Sequence, residues 1–136
     1  MRTLLLIVFA ASLTACHSQL KPPSERLAGT WSSTFDGTVM QLIADDGTSG
    51  SYVVRDADEP MRLSSGTFKA TETEISFVDD AGACEGIEGR YDYAIMTTAI
   101  QFDAHGDDCP EREKRTASES WVRVFMTNPE ADSDER

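Results

Sequence analysis

Between Trp31 and Phe125, apolar and polar residues alternate in short stretches, and turn residues interrupt them roughly every eight to twelve positions. Trp31–Phe35 runs into Asp36-Gly37, a dipeptide suited to a tight hairpin. Val39–Ile43 runs into Asp45-Asp46-Gly47, and Ser51–Arg55 follows. Beyond a loop holding Pro60 comes Gly66–Ala70. Glu74–Val78 precedes a glycine-rich stretch around Cys84, and Arg90–Met96, Ala99–Asp103 and Ser120–Phe125 complete the set. A period of two puts alternate side chains on one face, so the pattern predicts eight short strands and no long helix. Eight antiparallel strands joined by tight turns close best as an up-and-down barrel, because closure removes exposed edges. The fold expected is therefore all-β. Between Cys109 and Ala117, the run Pro110–Arg115 predicts a helical turn capped by Asp107 or Asp108.

The first residues follow a different pattern. Met1-Arg2 gives a short positive start, and Thr3–Leu13 is an almost unbroken apolar run ending in Leu13-Thr14-Ala15-Cys16. This is the three-part layout of a secretory signal. The run is shorter than the about 20 residues a membrane-spanning helix needs. Residues 17–26 are polar and carry Pro22-Pro23, which predicts a semi-extended tether. Four segments are expected: a signal peptide over 1–15, Cys16 with its tether over 16–26, the barrel over 27–126, and a disordered acidic tail over 127–136.

Composition narrows the partners. The formal net charge is -12, one unit more negative once Arg2 is removed. Such a surface repels nucleic-acid phosphates and anionic headgroups, so nucleic acid is excluded as a partner. The chain holds three cysteines, an odd number that leaves one thiol to explain in an exported protein. Modification of Cys16 resolves the parity and leaves Cys84 and Cys109, for which an oxidising compartment favours a disulfide. A two-thiol metal site is the competing reading, but no C-x-x-C pair or suitable neighbouring ligands accompany them.

Two resemblances add to this reading. Leu13-Thr14-Ala15-Cys16 resembles the lipobox of bacterial lipoproteins. That resemblance implies diacylglycerol on the Cys16 thiol, cleavage before it and acylation of the new amine by a fatty acid such as palmitate. His17 stands where Asp would retain such a protein in the inner membrane, which implies an outer-membrane anchor facing the periplasm. Leu27-Ala-Gly-Thr-Trp31 is similar to the Gly-x-Trp opening of the lipocalin and calycin superfamily, in which an Arg on the last strand packs over that Trp. Arg123 in Trp121-Val-Arg123 is the match, and cation–π stacking gives the pair a physical basis. Cys84, Gly89-Arg-Tyr91, Asp107-Asp-Cys-Pro-Glu-Arg112 and Trp121-Val-Arg123 further resemble elements of small bacterial lipocalin-like proteins.

Candidate chemistry is sparse. His105 lies among Asp103, Asp107 and Asp108, an oxygen and nitrogen set open to Ca²⁺ or Zn²⁺, but no known ligand spacing is matched. No serine sits in a nucleophile-elbow context. Glu85 and Glu88, beside Cys84, are a paired-carboxylate alternative, and Asp56–Glu59 reads as an ordinary acidic loop. No catalytic residue, metal or cofactor is assigned. Phe35, Phe68, Phe77, Tyr91, Tyr93 and Phe102 are the candidate lining of an apolar pocket, or else the filling of the barrel. The expected function is that of a monomeric, non-enzymatic, lipid-anchored envelope lipoprotein with a lipocalin-like barrel taking a small apolar ligand. The alternative is a structural or interaction lipoprotein, an inhibitor or assembly partner, whose protein partner is unknown.

Overall fold

The computed structural model describes residues 20–58 and 61–125. Cys16, the signal segment, the acidic tail and Glu59-Pro60 lie outside the described residues. Eight strands form, in chain order β1 Gly29–Ser33, β2 Val39–Ala44, β3 Ser49–Arg55, β4 Arg62–Ala70, β5 Glu74–Asp79, β6 Glu88–Ile95, β7 Ala99–Asp107 and β8 Trp121–Arg123. Each pairs antiparallel with its neighbour, and β8 pairs back onto β1 through Trp31↔Arg123, closing the barrel. The expected architecture is the one observed, including a Cys84–Cys109 disulfide whose Cα atoms lie 5.8 Å apart.

Strict alternation builds the core. β3 and β5 each bury every second residue, so Tyr52 and Val54 face Ile75 and Phe77 across one interior with Trp31, Phe68, Phe102 and Trp121. Each fully buried aromatic or aliphatic side chain contributes about 1.5–3 kcal/mol relative to exposure.

Element ends depart from expectation for local reasons. β1 begins and ends two residues before the predicted strand, because Thr34–Asp36 turns. The Thr38 N–H donates to Asp36 Oδ1 at 2.9 Å, and the Phe35 N–H donates to Ser33 Oγ at 3.2 Å. Residues 23–26, expected in the tether, instead belong to a five-residue helix, α1 (Pro23–Leu27). It folds back because Ser24 donates its hydroxyl to the Asp46 carbonyl, and Leu27 is buried in the core. The second helix, α2 (Pro110–Ala117), starts after Cys109 rather than after an Asp108 or Asp107 cap. Proline at its first position needs no N–H partner.

The strand directions sort the connections into two ends. One end carries α1, the turns 45–48, 71–73 and 96–98, and the chain leaving β8. The other carries the turn 34–38, residues 56–58 and 61, residues 80–87 with Cys84, and α2.

Candidate functional site

The most elaborate polar arrangement lies inside the end closed by α2. Arg112, on α2, reaches into the barrel with its side chain 2% exposed. Its Nε donates to Asp107 Oδ2 at 2.7 Å and its Nη2 to Asp107 Oδ1 at 2.8 Å, a bidentate grip. Nη1 donates to Asp79 Oδ1 at 2.9 Å, and Nη2 also reaches the Ile87 carbonyl at 2.8 Å. Tyr52 donates its phenol to Asp79, Tyr91 donates to Asp107, and the Cys109 N–H donates to Asp107 Oδ1 at 2.8 Å. Both carboxylates are thereby committed.

A bulge explains how Asp107 enters. Tyr91 pairs with Ala104 but Arg90 pairs with Gly106, so β7 carries one extra residue, His105, at that point. The extra residue flips the parity of the strand. Asp103 and His105 therefore stand on the outer face and Asp107 turns inward, its side chain fully buried. Gly89 pairs with Asp107, and a Cβ there would overlap the Asp107 carboxylate and the Arg112 guanidinium.

The electrostatics follow from this geometry. Burial alone would push the Asp107 carboxyl up, but hydrogen bonds from Arg112, Tyr91 and the Cys109 amide hold it below the ordinary aspartate value. The Tyr52 phenol is raised by burial and by its bond to Asp79, and the Tyr91 phenol by burial and by its bond to Asp107. Arg112 stays charged because its two carboxylate partners outweigh its burial.

The second cluster closes the opposite end. The Arg123 guanidinium lies 4.2 Å from the centre of the Trp31 ring. Arg123 also donates to the Ala28 carbonyl at 2.9 Å and to the Arg26 carbonyl at 3.1 Å, and Trp31 Nε1 donates to the Leu27 carbonyl at 2.8 Å. Gly29 has a φ of 138°, and a Cβ there would meet Arg123 Nη1. Gly29, Trp31 and Arg123 thus form one packed unit holding α1 against the barrel.

The candidate pocket residues divide. Phe35 is 58% exposed in the turn after β1 and does not line the interior. Phe68, Phe77, Tyr91, Tyr93 and Phe102 do face inward. Phe77 meets Tyr52, Tyr91 and Phe102 edge to face at 5.0, 5.8 and 6.1 Å between ring centres. These rings occupy the lumen themselves.

Asp103, His105 and Asp107 are not brought together. His105 Nδ1 sits 3.9 Å from Asp92 Oδ2 at the surface, while Asp107 belongs to the buried network. Asp108, Glu85 and Glu88 are exposed. Among the described residues, no three His, Cys, Asp or Glu side chains gather as a metal site.

Asp79 and Tyr52 are the network members that the sequence reading missed. Asp79 follows Ile75 and Phe77 at the inward spacing of two, and an inward carboxylate demands a buried cation. That was the available signal.

Outside the wall, Ser49, Lys69, Ser76 and Arg90 form one cross-strand row along an open depression of about 690 Å³. Asp46, Glu74 and Glu88 share it, so its charges are mixed. Exposed apolar side chains gather at both ends, Phe35, Met61 and Leu63 at the α2 end and Leu20, Met96, Val124 and Phe125 at the α1 end. No protein-family model, no curated protein and no solved structure matches the chain.

Proposed function

We infer that this is a lipid-anchored lipoprotein of the cell envelope, carrying acyl chains on Cys16 and facing the periplasm from the outer membrane. Its lipocalin-like barrel works without catalysis, by surface contact with a protein partner. The observation that carries the surface reading is the interlocked interior. A small apolar ligand would have to part Phe77 from Tyr52, Tyr91 and Phe102, losing three edge-to-face contacts as well as core packing. Phe35, Met61 and Leu63 are apolar groups left facing solvent at the α2 end, and Phe and Met are among the side chains enriched in the cores of protein interfaces. The lipobox and the parity of the cysteines support the anchor: two acyl chains hold a soluble domain at a bilayer far more persistently than one.

The test has two arms. Native mass spectrometry of the barrel domain extracted without denaturation should show the bare polypeptide mass, with the Cys84–Cys109 bridge intact. A retained lipophile would overturn the surface reading in favour of a lumen ligand. In detergent-solubilised envelopes, crosslinking from a photoreactive residue at position 35 should yield a discrete partner band that Met61→Ser with Leu63→Ser weakens several-fold. Absence of any discrete band would sink the interaction reading.

A further inference from the structure

We propose that the α1 end of the barrel is a membrane seat: the bilayer surface is contacted by the 96–98 turn and the chain leaving β8, and the α2 end points away from it. The inference rests on the lipid-anchored reading and deepens it by giving the domain an orientation.

The length of chain outside the described region sets the geometry. The fold begins sooner than the polar composition suggests, since Pro22 packs against the 45–48 turn and α1 starts at Pro23. Only residues 17–19 separate Cys16 from Leu20. Four residue steps span at most roughly 14 Å, however the chain is arranged. The polar layer above the hydrocarbon is about 6 Å thick, so the tether reaches at most about 8 Å beyond it. The end of the barrel that receives the tether is therefore held within about 8 Å of the headgroups.

That end is also suited to the contact, and on one side only. Ile95 and Met96 close β6, Val124 and Phe125 follow β8, and all four are exposed, Phe125 at 68%. The Val124 N–H donates to the Thr30 carbonyl, and the Met96 N–H to the Ala99 carbonyl. These bonds tie Val124 to β1 and Met96 to β7, which places the apolar residues along the β6–β7–β8–β1 side of the barrel. The turn between β6 and β7, Met96-Thr97-Thr98, has no charge. Glu25 of α1 shares a depression with Ile95, lined also by the cations Lys21, Arg26 and Arg123, while the other acids of this end lie on the far side: Asp45 and Asp46 between β2 and β3, Glu72 between β4 and β5. Headgroup repulsion of those acids and burial of the apolar group both tilt the barrel toward its β6–β8 side. Four further acids, Glu130, Asp132, Asp134 and Glu135, follow in the sequence. The contact is thus apolar in origin, and anionic lipid weakens it.

The test uses the full chain, processed and lipidated in cells, purified in detergent and placed in vesicles of phosphatidylethanolamine and phosphatidylglycerol. A fluorescent amino acid is introduced singly at position 96, 124 or 35. Lipid bearing a headgroup nitroxide should quench positions 96 and 124 at least threefold more than position 35. Raising the phosphatidylglycerol fraction should reduce that ratio. In the Met96→Glu, Phe125→Glu double variant, quenching at 124 should fall to the level seen at 35 while the protein still floats with the vesicles. Equal quenching at the two ends, stronger quenching at 35, or no response to the double variant overturns the seat. Intact mass and flotation separate the two levels of failure. A chain without diacylglycerol that does not float removes both the anchor and the seat, whereas a lipidated, floating chain with symmetric quenching removes the seat alone.

Discussion

At the scale of single residues, Arg112 has the largest consequence. Among the described residues it is the one cation reaching Asp79 and Asp107, and both carboxylates are buried. Replacing it by a side chain of similar length leaves two uncompensated charges in the interior, a loss of about 3–5 kcal/mol. Chemical denaturation of Arg112→Met should show that loss as a lower midpoint with an unchanged slope. Asp79→Asn combined with Arg112→Met should recover part of it, because one of the stranded charges is then removed. A single variant no less stable than the parent would contradict the network as described.

At the scale of elements, the disulfide ties the loop after β5 to the start of α2, which carries Arg112. The bridged residues are 25 apart in sequence, and closing a loop of this length is worth about 3 kcal/mol in the chain-entropy model. Reduction should lower the thermal midpoint by on the order of 10–20 °C. It should also raise hydrogen exchange in α2 before it does so in β2–β4, since the cross-link positions the helix and the strands have their own ladders. Uniform exchange along the chain after reduction would mean that the bridge does not act locally.

Legibility from sequence differed by element for identifiable reasons. Strands β2 and β5 follow from period two because one face is core and the other solvent. Arg123 lies over Trp31, the pair legible in Trp121-Val-Arg123 and Gly29-Thr-Trp31, and Gly29 leaves the room that the guanidinium needs on the indole. Phe35 was misplaced because alternation continues through it, while Asp36 and Gly37 have already bent the backbone. The inward turn of Asp107 was hidden by a bulge, since one added residue inverts every later position and leaves no mark in composition. α1 was hidden because a five-residue helix has no period to read, and its stability comes from Leu27 under the barrel rather than from propensity.

For the whole molecule, the pH profile follows from the buried network and the tyrosines. The Asp107 carboxyl is depressed when folded, so its stabilising contribution is present above the ordinary aspartate pKa of about 3.9 and is lost as pH falls through its folded value. Denaturant midpoints should hold level from neutral pH down to about 5 and drop below about 4, with a shallower drop in Asp107→Asn. The alkaline side runs the other way. All three tyrosines are raised: Tyr52 and Tyr91 by burial and their aspartate partners, Tyr93 by burial and nearby Glu72. Each contributes stability that is complete below about 10 and is lost as pH rises toward its folded value. Near-ultraviolet absorbance should therefore show no tyrosinate near pH 10 until the barrel unfolds, and then all of it together. A separate early step of one phenol would show that ring to be accessible.

The seam between the first and last strands governs how such a chain acquires its shape. β8 has three residues and joins β7 through only Ala99↔Val122 and Ile100↔Trp121, yet it alone completes β1. The bond from Arg123 to Ala28 spans 95 positions. Contacts this distant are the slowest to form, because the intervening loop must close before they repay its entropy. A chain emerging from its N-terminus keeps β1 open along one edge until residue 121 arrives. Closure of the barrel thus waits on the last strand, and a chain cut short before residue 121 would leave β1 with one unpaired edge.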